Sequence, residues 1–163
     1  MNLVELKPLL PKAIFDIRYA TTNNFTGEIQ YINNRTRLDE GAAQALVKAN
    51  QSFESKGYTL VIYDAYRPIE VQKQLQIFNR DEKYVLTDSN HPKGLAIDVS
   101  LADKNGDYLD MGTDFDDFTT KAHIDAKELT ESQIINRSLL ADVMELAGFR
   151  QWPYEWWHFD FVG

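Results

Sequence analysis

Glu155-Trp156-Trp157-His158, close to the carboxyl terminus, sets a carboxylate and an imidazole three residues apart in an aromatic setting. In a strand through this region Trp157, Phe159 and Phe161 share one face, leaving His158, Asp160 and Val162 on the other. Glu155 has the wrong parity to share a regular strand face with His158. The entry after Pro153 must therefore kink to swing the carboxylate beside the imidazole, with Trp156 and Trp157 flanking and drying the site. Ser89-Asn90-His91-Pro92-Lys93-Gly94-Leu95-Ala96-Ile97-Asp98 offers a second imidazole and a carboxylate seven residues beyond it. Leu95, Ile97, Val99 and Leu101 alternate along a predicted strand whose other face carries Ala96, Asp98 and Ser100, so Asp98 is expected to face away from the core. A fold-over at Gly94 lets His91 and Asp98 converge on one ion.

His91, Asp98 and His158 would give zinc three protein ligands and leave the fourth position to water, the pattern of hydrolytic rather than closed structural sites. Glu155 is then the candidate general base. Three other readings compete. Any single histidine is more often an ordinary surface or core residue. A two-His, one-carboxylate iron site usually spaces its His and carboxylate two apart and has no use for Glu155. A zinc-stabilised binding module would need a fourth ligand, for which His123 is the candidate; in its acidic loop His123 reads better as a solvated or pocket-rim residue.

The 163 residues suit one domain, 1–163, long enough to bury roughly 70% of the surface of the unfolded chain. Cysteine is absent, so any metal must be held by His and carboxylates. A formal charge of -8, from 17 basic and 25 acidic residues, argues against nucleic acid or an anionic membrane as partner and leaves a small zwitterion compatible. Glu5, Lys7 and Pro8 interrupt the apolar residues of the amino terminus before a signal-peptide core can form, so the expectation is a cytoplasmic protein; a chain whose leader had been removed would look the same. The oligomeric state is not legible.

Ile14–Tyr19 alternates as a half-buried strand, and 21–34 is a turn-rich loop in which Phe25 is expected to act as a plug. Asp39 caps a helix with Ala42, Ala45, Leu46, Ala49 and Phe53 on its apolar face, ending near Gly57. Tyr58–Tyr63 reads as a strand, and Pro68 opens a second helix presenting Val71, Leu75 and Phe78. Arg67, held extended by the proline that follows, sits at the strand-to-helix junction where its side chain can meet an oxyanion; a surface ion pair is the competing reading. The acidic stretch 102–129 contains Asp103-Lys104-Asn105-Gly106-Asp107, which fails the calcium-loop pattern and reads as a hairpin turn. Thr130-Glu131-Ser132-Gln133 is a capping box opening a helix predicted to bury Ile135, Leu139, Val143, Leu146 and Ala147. These elements predict a single α+β domain, mainly an antiparallel sheet with flanking helices.

Ser89-x-His91-x-x-Gly94-x-Ala96-x-Asp98 followed by Glu155-Trp156-Trp157-His158 resembles the zinc D,D-peptidases that share a fold with the Hedgehog signalling domain. Asp16–Thr21, Asn24–Gly27, Asp64-Ala65-Tyr66-Arg67-Pro68 and Met111-Gly112-Thr113-Asp114-Phe115-Asp116 are similar to the D-alanyl-D-alanine dipeptidase branch. The resemblance spans nearly the whole chain and implies one zinc per chain on His91, Asp98 and His158. It further implies Glu155 as base, Arg67 as transition-state stabiliser, and Asp116 with Ser89 nearby as receptors of the ammonium of a small D,D-dipeptide. A D,D- or L,D-carboxypeptidase acting on peptidoglycan stems is the alternative. The connection between the Pro68 helix and Ser89 is shorter than in better-known members, which leaves open what covers the pocket.

Overall fold

The computed structural model describes residues 1–33 and 35–163. A small antiparallel pair, β1 (Leu3–Glu5) with β3 (Arg37–Asp39), lies beside a five-stranded sheet of order β2-β4-β5-β7-β6. The sheet is built from β2 (Ile14–Phe15), β4 (Thr59–Asp64), β5 (Ala96–Ala102), β6 (Phe149–Gln151) and β7 (His158–Phe161). Only β2 runs parallel to its neighbour; the β4–β5, β5–β7 and β6–β7 pairings are antiparallel. The helices are α1 (Glu40–Ser55), α2 (Ile69–Phe78) and α3 (Glu131–Leu146). The α+β expectation therefore holds. Among the described residues no helix is long and apolar enough to cross a membrane.

The end signals behave as their chemistry requires. Asp39 accepts the amide of Gly41 at the start of α1, and Thr130 and Gln133 satisfy each other's backbone amides in a complete capping box. The turn at 103–107 forms with Gly106 in the left-handed region and Asp103 accepting the amides of Asn105 and Asp107. Phe25 packs edge-on against Tyr19, Phe78 and Phe118, as a plug should; Asn34, the last residue of that predicted loop, lies outside the described residues.

Three expectations need correction. The strand predicted over 14–19 stops at Phe15, and Arg18–Ala20 form a 3-10 turn. Arg18 and Tyr19 are both buried, and consecutive inward side chains are incompatible with strand alternation. β5 is buried on both faces: Phe115, from the 103–130 segment, stacks on Tyr63 and covers the face that carries Asp98 and Ser100. On α3 the buried stripe is Gln133, Arg137, Leu140, Val143 and Met144, whereas Ile135 and Leu146 are 59% and 90% exposed. Arg137 turns the helix: its guanidinium donates to the carbonyls of Met111, Lys121 and His123 in the irregular segment packed against it.

Candidate active site and metal centre

The central strands aim the chemistry. Asp98 on β5 pairs with His158 on β7 and with Asp64 on β4, so the register alone sets three titratable residues side by side. His91 reaches them from a 3-10 turn (His91–Lys93) that Gly94 closes at φ +69°. A Cβ at Gly94 would stand 2.9 Å from the backbone nitrogen of Asp39, so only glycine allows this turn to dock on β3. Glu155 lies in the irregular entry to β7, as the parity argument required.

His91, Asp98 and His158 are buried, with ligand atoms all within 4.8 Å of one another, and they form the metal-competent group found among the described residues. The protonation pattern suits a cation. His91 Nδ1 lies 2.6 Å from the Ala65 carbonyl, which can only accept, so Nδ1 carries the proton and Nε2 presents a lone pair. That Nε2 is buried and has no hydrogen-bond partner. His158 faces Asp98 Oδ1 at 3.0 Å through Nδ1 and Asp160 Oδ1 at 3.3 Å through Nε2. With Nε2–H donating to Asp160, Nδ1 becomes the ligand. Burial alone would lower the His158 pKa, but hydrogen bonds to Asp160 and Asp98 outweigh it and raise the value to about 10.

Charge accounting points the same way. Asp64, Asp98 and Glu155 are 1–4% exposed, and Asp116 joins Asp98 and Glu155 in lining one cavity, where the guanidinium among the lining residues is that of Arg67. Arg67 is already engaged by Asp64, at 2.8 and 2.9 Å, with its Nη1 on Gln72 Oε1 at 2.6 Å. Uncompensated negative charge in a dry site is costly, and a divalent cation on the ligand set relieves it. Burial pushes the carboxyls of Glu155 and Asp116 well above their ordinary values.

The structure brings together the residues singled out from the sequence as ligands, base, oxyanion donor and ammonium receptors. Ser89, His91, Asp98, Arg67, Asp116, Glu155 and His158 line one cavity with Tyr19, Tyr84, Val85, Leu86 and Trp157. Trp157 forms a wall; Trp156 stands behind it, edge-on, its indole donating to Thr113 Oγ1. His123 lies outside the ligand group and pairs with the Tyr84 hydroxyl at 2.9 Å, which places it at the rim and removes the candidate fourth ligand of the binding-module reading. The connection before Ser89 itself closes the pocket: Tyr84, Val85 and Leu86 line it, Gln72 Nε2 donates to the Leu86 carbonyl and Trp152 Nε1 to that of Lys83. The free volume left is about 10 Å³, room for a single water. A larger concavity of about 330 Å³, bounded by Tyr31, Arg37, Tyr66 and Val71, contains none of the cluster.

Sequence reasoning missed four residues. Tyr19 donates to Asp116 Oδ2 at 2.9 Å and lies under the Arg67 guanidinium, 5.2 Å from ring centroid to Cζ. Asp64 and Gln72 hold Arg67, and Asp160 orients His158. Asp160 left a signal in its shared strand face with His158, and Tyr19 and Asp64 lie within the stretches quoted for the family resemblance.

Comparison with known proteins agrees with this geometry. Residues 1–163 match the peptidase family described as D-ala-D-ala dipeptidase. A D-alanyl-D-alanine dipeptidase of Escherichia coli (strain K12) is 37% identical over 162 residues, covering 98% of this chain and 84% of that protein. Among solved structures, the LD-carboxypeptidase LdcB is similar with a TM-score of 0.56 at 21% identity, over 99% of this chain and 68% of that one. A vancomycin-resistance D,D-pentapeptidase, a VanY mutant in complex with Zn(II), gives 0.52 at 17%, over 81% and 76%. The two structures share the fold, and the match along the full sequence decides the rest: the chain belongs to the D-Ala-D-Ala dipeptidase family of peptidases.

Proposed function

We propose that this protein is a zinc-dependent dipeptidase that hydrolyses D-Ala-D-Ala to two D-alanines, with His91, Asp98 and His158 as the zinc ligands. Bound zinc supplies a Lewis acid that lowers the pKa of water to about 7. Glu155 takes the proton as the water attacks the amide carbon and passes it to the departing amine, a relay suited to a carboxyl whose burial raises its pKa. Arg67, fixed by Asp64 and Gln72, donates to the carbonyl oxygen as it gains charge. Asp116 and Ser89 receive the free ammonium of the substrate.

The observation that carries the dipeptidase reading is Asp116: a carboxylate lining a nearly closed cavity, whose side-chain hydrogen bond comes from the neutral Tyr19 hydroxyl. A cationic substrate end completes it. The Tyr84–Leu86 wall limits the room beside the cluster, which suits a short substrate. Acetylating the ammonium leaves Asp116 without its partner, a loss of about 3–5 kcal/mol for a buried pair. The test is release of D-alanine from D-Ala-D-Ala and from its N-acetyl form, with and without chelator. Free dipeptide should be cleaved far faster, and only in the metal-loaded protein. Equal specificity constants for the two substrates would remove the dipeptidase reading and favour a carboxypeptidase; full turnover by metal-free protein would remove the zinc chemistry.

A further inference from the structure

The segment that carries Asp116 has an unusual backbone. Asp116 is the one non-glycine residue with positive φ among those described, at 60°. Aspartate visits that region more readily than most residues, and contacts around it must hold it there. Two adjacent residues of the 3-10 turn after β2 do so. Tyr19 donates to the Asp116 carboxylate, and Arg18 makes a two-pronged pair with the carboxylate of Asp114, Nη2 to Oδ1 at 3.1 Å and Nη1 to Oδ2 at 3.3 Å. Asp114 Oδ1 in turn accepts the Phe115 amide at 2.8 Å, so the ion pair fixes the backbone one residue before Asp116. Phe115 is locked between them, stacked on Tyr63 at 4.8 Å and edge-on to Trp157 at 5.5 Å.

Arg18 is built for this task. It is 7% exposed, is oriented from behind by Asp16 at 3.1 Å, and lies over the Tyr63 ring at 5.0 Å. It belongs neither to the ligand group nor to the residues that line the cavity. We infer that Arg18 and Asp114 form a clamp that positions Asp116 to receive the substrate's ammonium, making Arg18 a positioning residue for substrate selection and not a catalytic one. The inference rests on the role proposed for Asp116.

Because Asp114 is largely exposed, Asp114→Asn will fold and is the primary variant; Arg18→Gln is its partner, and the double variant closes a cycle. In the zinc-loaded protein, either single change should lower kcat/KM for D-Ala-D-Ala about ten-fold, within the range of couplings between contacting residues, mainly by raising KM. Cleavage of the N-acetyl substrate should not change, and the double variant should be no worse than the worse single. A general loss of structure would instead lower both substrates together, and independent roles would make the two changes additive; either result overturns the clamp. Asp116→Ala separates the two layers of argument. If it collapses the preference for the free dipeptide while Arg18→Gln and Asp114→Asn leave that preference intact, the clamp alone is wrong. If Asp116→Ala leaves the preference intact, the ammonium role and the clamp fall together.

Discussion

Arg67→Met separates what Arg67 does for the chemistry from what it does for the fold. Methionine keeps most of the buried stem and removes the guanidinium, which is 6% exposed and pairs with Asp64 Oδ2 at 2.8 Å through Nη2 and 2.9 Å through Nε. Asp64 is 1% exposed and is left facing Asp98 with no cation of its own. Breaking such a buried pair costs about 3–5 kcal/mol. For a chain of this size each kcal/mol is worth roughly 2–4 °C, so the zinc-loaded variant should melt about 6–20 °C below the parent. Adding Asp64→Asn removes the stranded charge while its amide oxygen still accepts from the Tyr31 hydroxyl and the Ala65 amide, so most of that stability should return. Turnover should not return, because the oxyanion donor is still missing, a loss of roughly 10²–10³ for one such donor. Calorimetry and D-alanine release on the parent, Arg67→Met and the double variant decide the matter. If the double variant recovers stability and activity together, Arg67 is only a structural counter-charge. If Arg67→Met melts with the parent, the buried pair is not isolated from solvent as its geometry requires.

Glu155→Gln should lower turnover by roughly 10²–10⁴ while zinc stays bound at one per chain, since it removes proton transfer and not a ligand; loss of metal in proportion to activity would make Glu155 a ligand instead. Asp160→Ala should weaken zinc affinity by roughly 10–100-fold, because it frees the His158 ring that Asp160 now orients at 3.3 Å, and competition with a chelating dye would reveal unchanged affinity if that contact is idle.

The metal-competent group was legible in the sequence largely because strand alternation is a short-range rule. Parity put Asp98 and His158 on one face each and demanded a kink for Glu155, and the register pairs those two strands so that the faces coincide. The caps at Asp39 and Thr130 were legible for the same reason: each is completed within three residues of chain. What escaped was polar and buried. Tyr19 and Arg18 read as the end of an alternating strand, since their partners Asp116 and Asp114 lie almost a hundred residues away. Asp64 and Gln72 flank a recognised junction, but nothing in their spacing says that both turn inward on Arg67.

The rotation of α3 has the same cause and reaches the site. Apolar periodicity assumes that a helix buries its greasiest stripe, which would have hidden Ile135 and Leu146. That rule fails where a long irregular segment must lie against the helix, because its carbonyls need donors and hydrocarbon offers none. Arg137 meets three of those carbonyls, on Met111, Lys121 and His123, and its guanidinium lies 5.8 Å from the Trp156 ring. The stretch so anchored, 111–123, includes Asp114, Phe115 and Asp116. Two buried arginines from different elements therefore hold it, Arg137 of α3 by its backbone carbonyls and Arg18 of the 3-10 turn by the Asp114 carboxylate. A candidate site whose central strands are fixed by sheet register still depends, for the Asp116 end of its cavity, on a loop with no register at all, and in this fold charged hydrogen bonds supply the rigidity that β-pairing cannot.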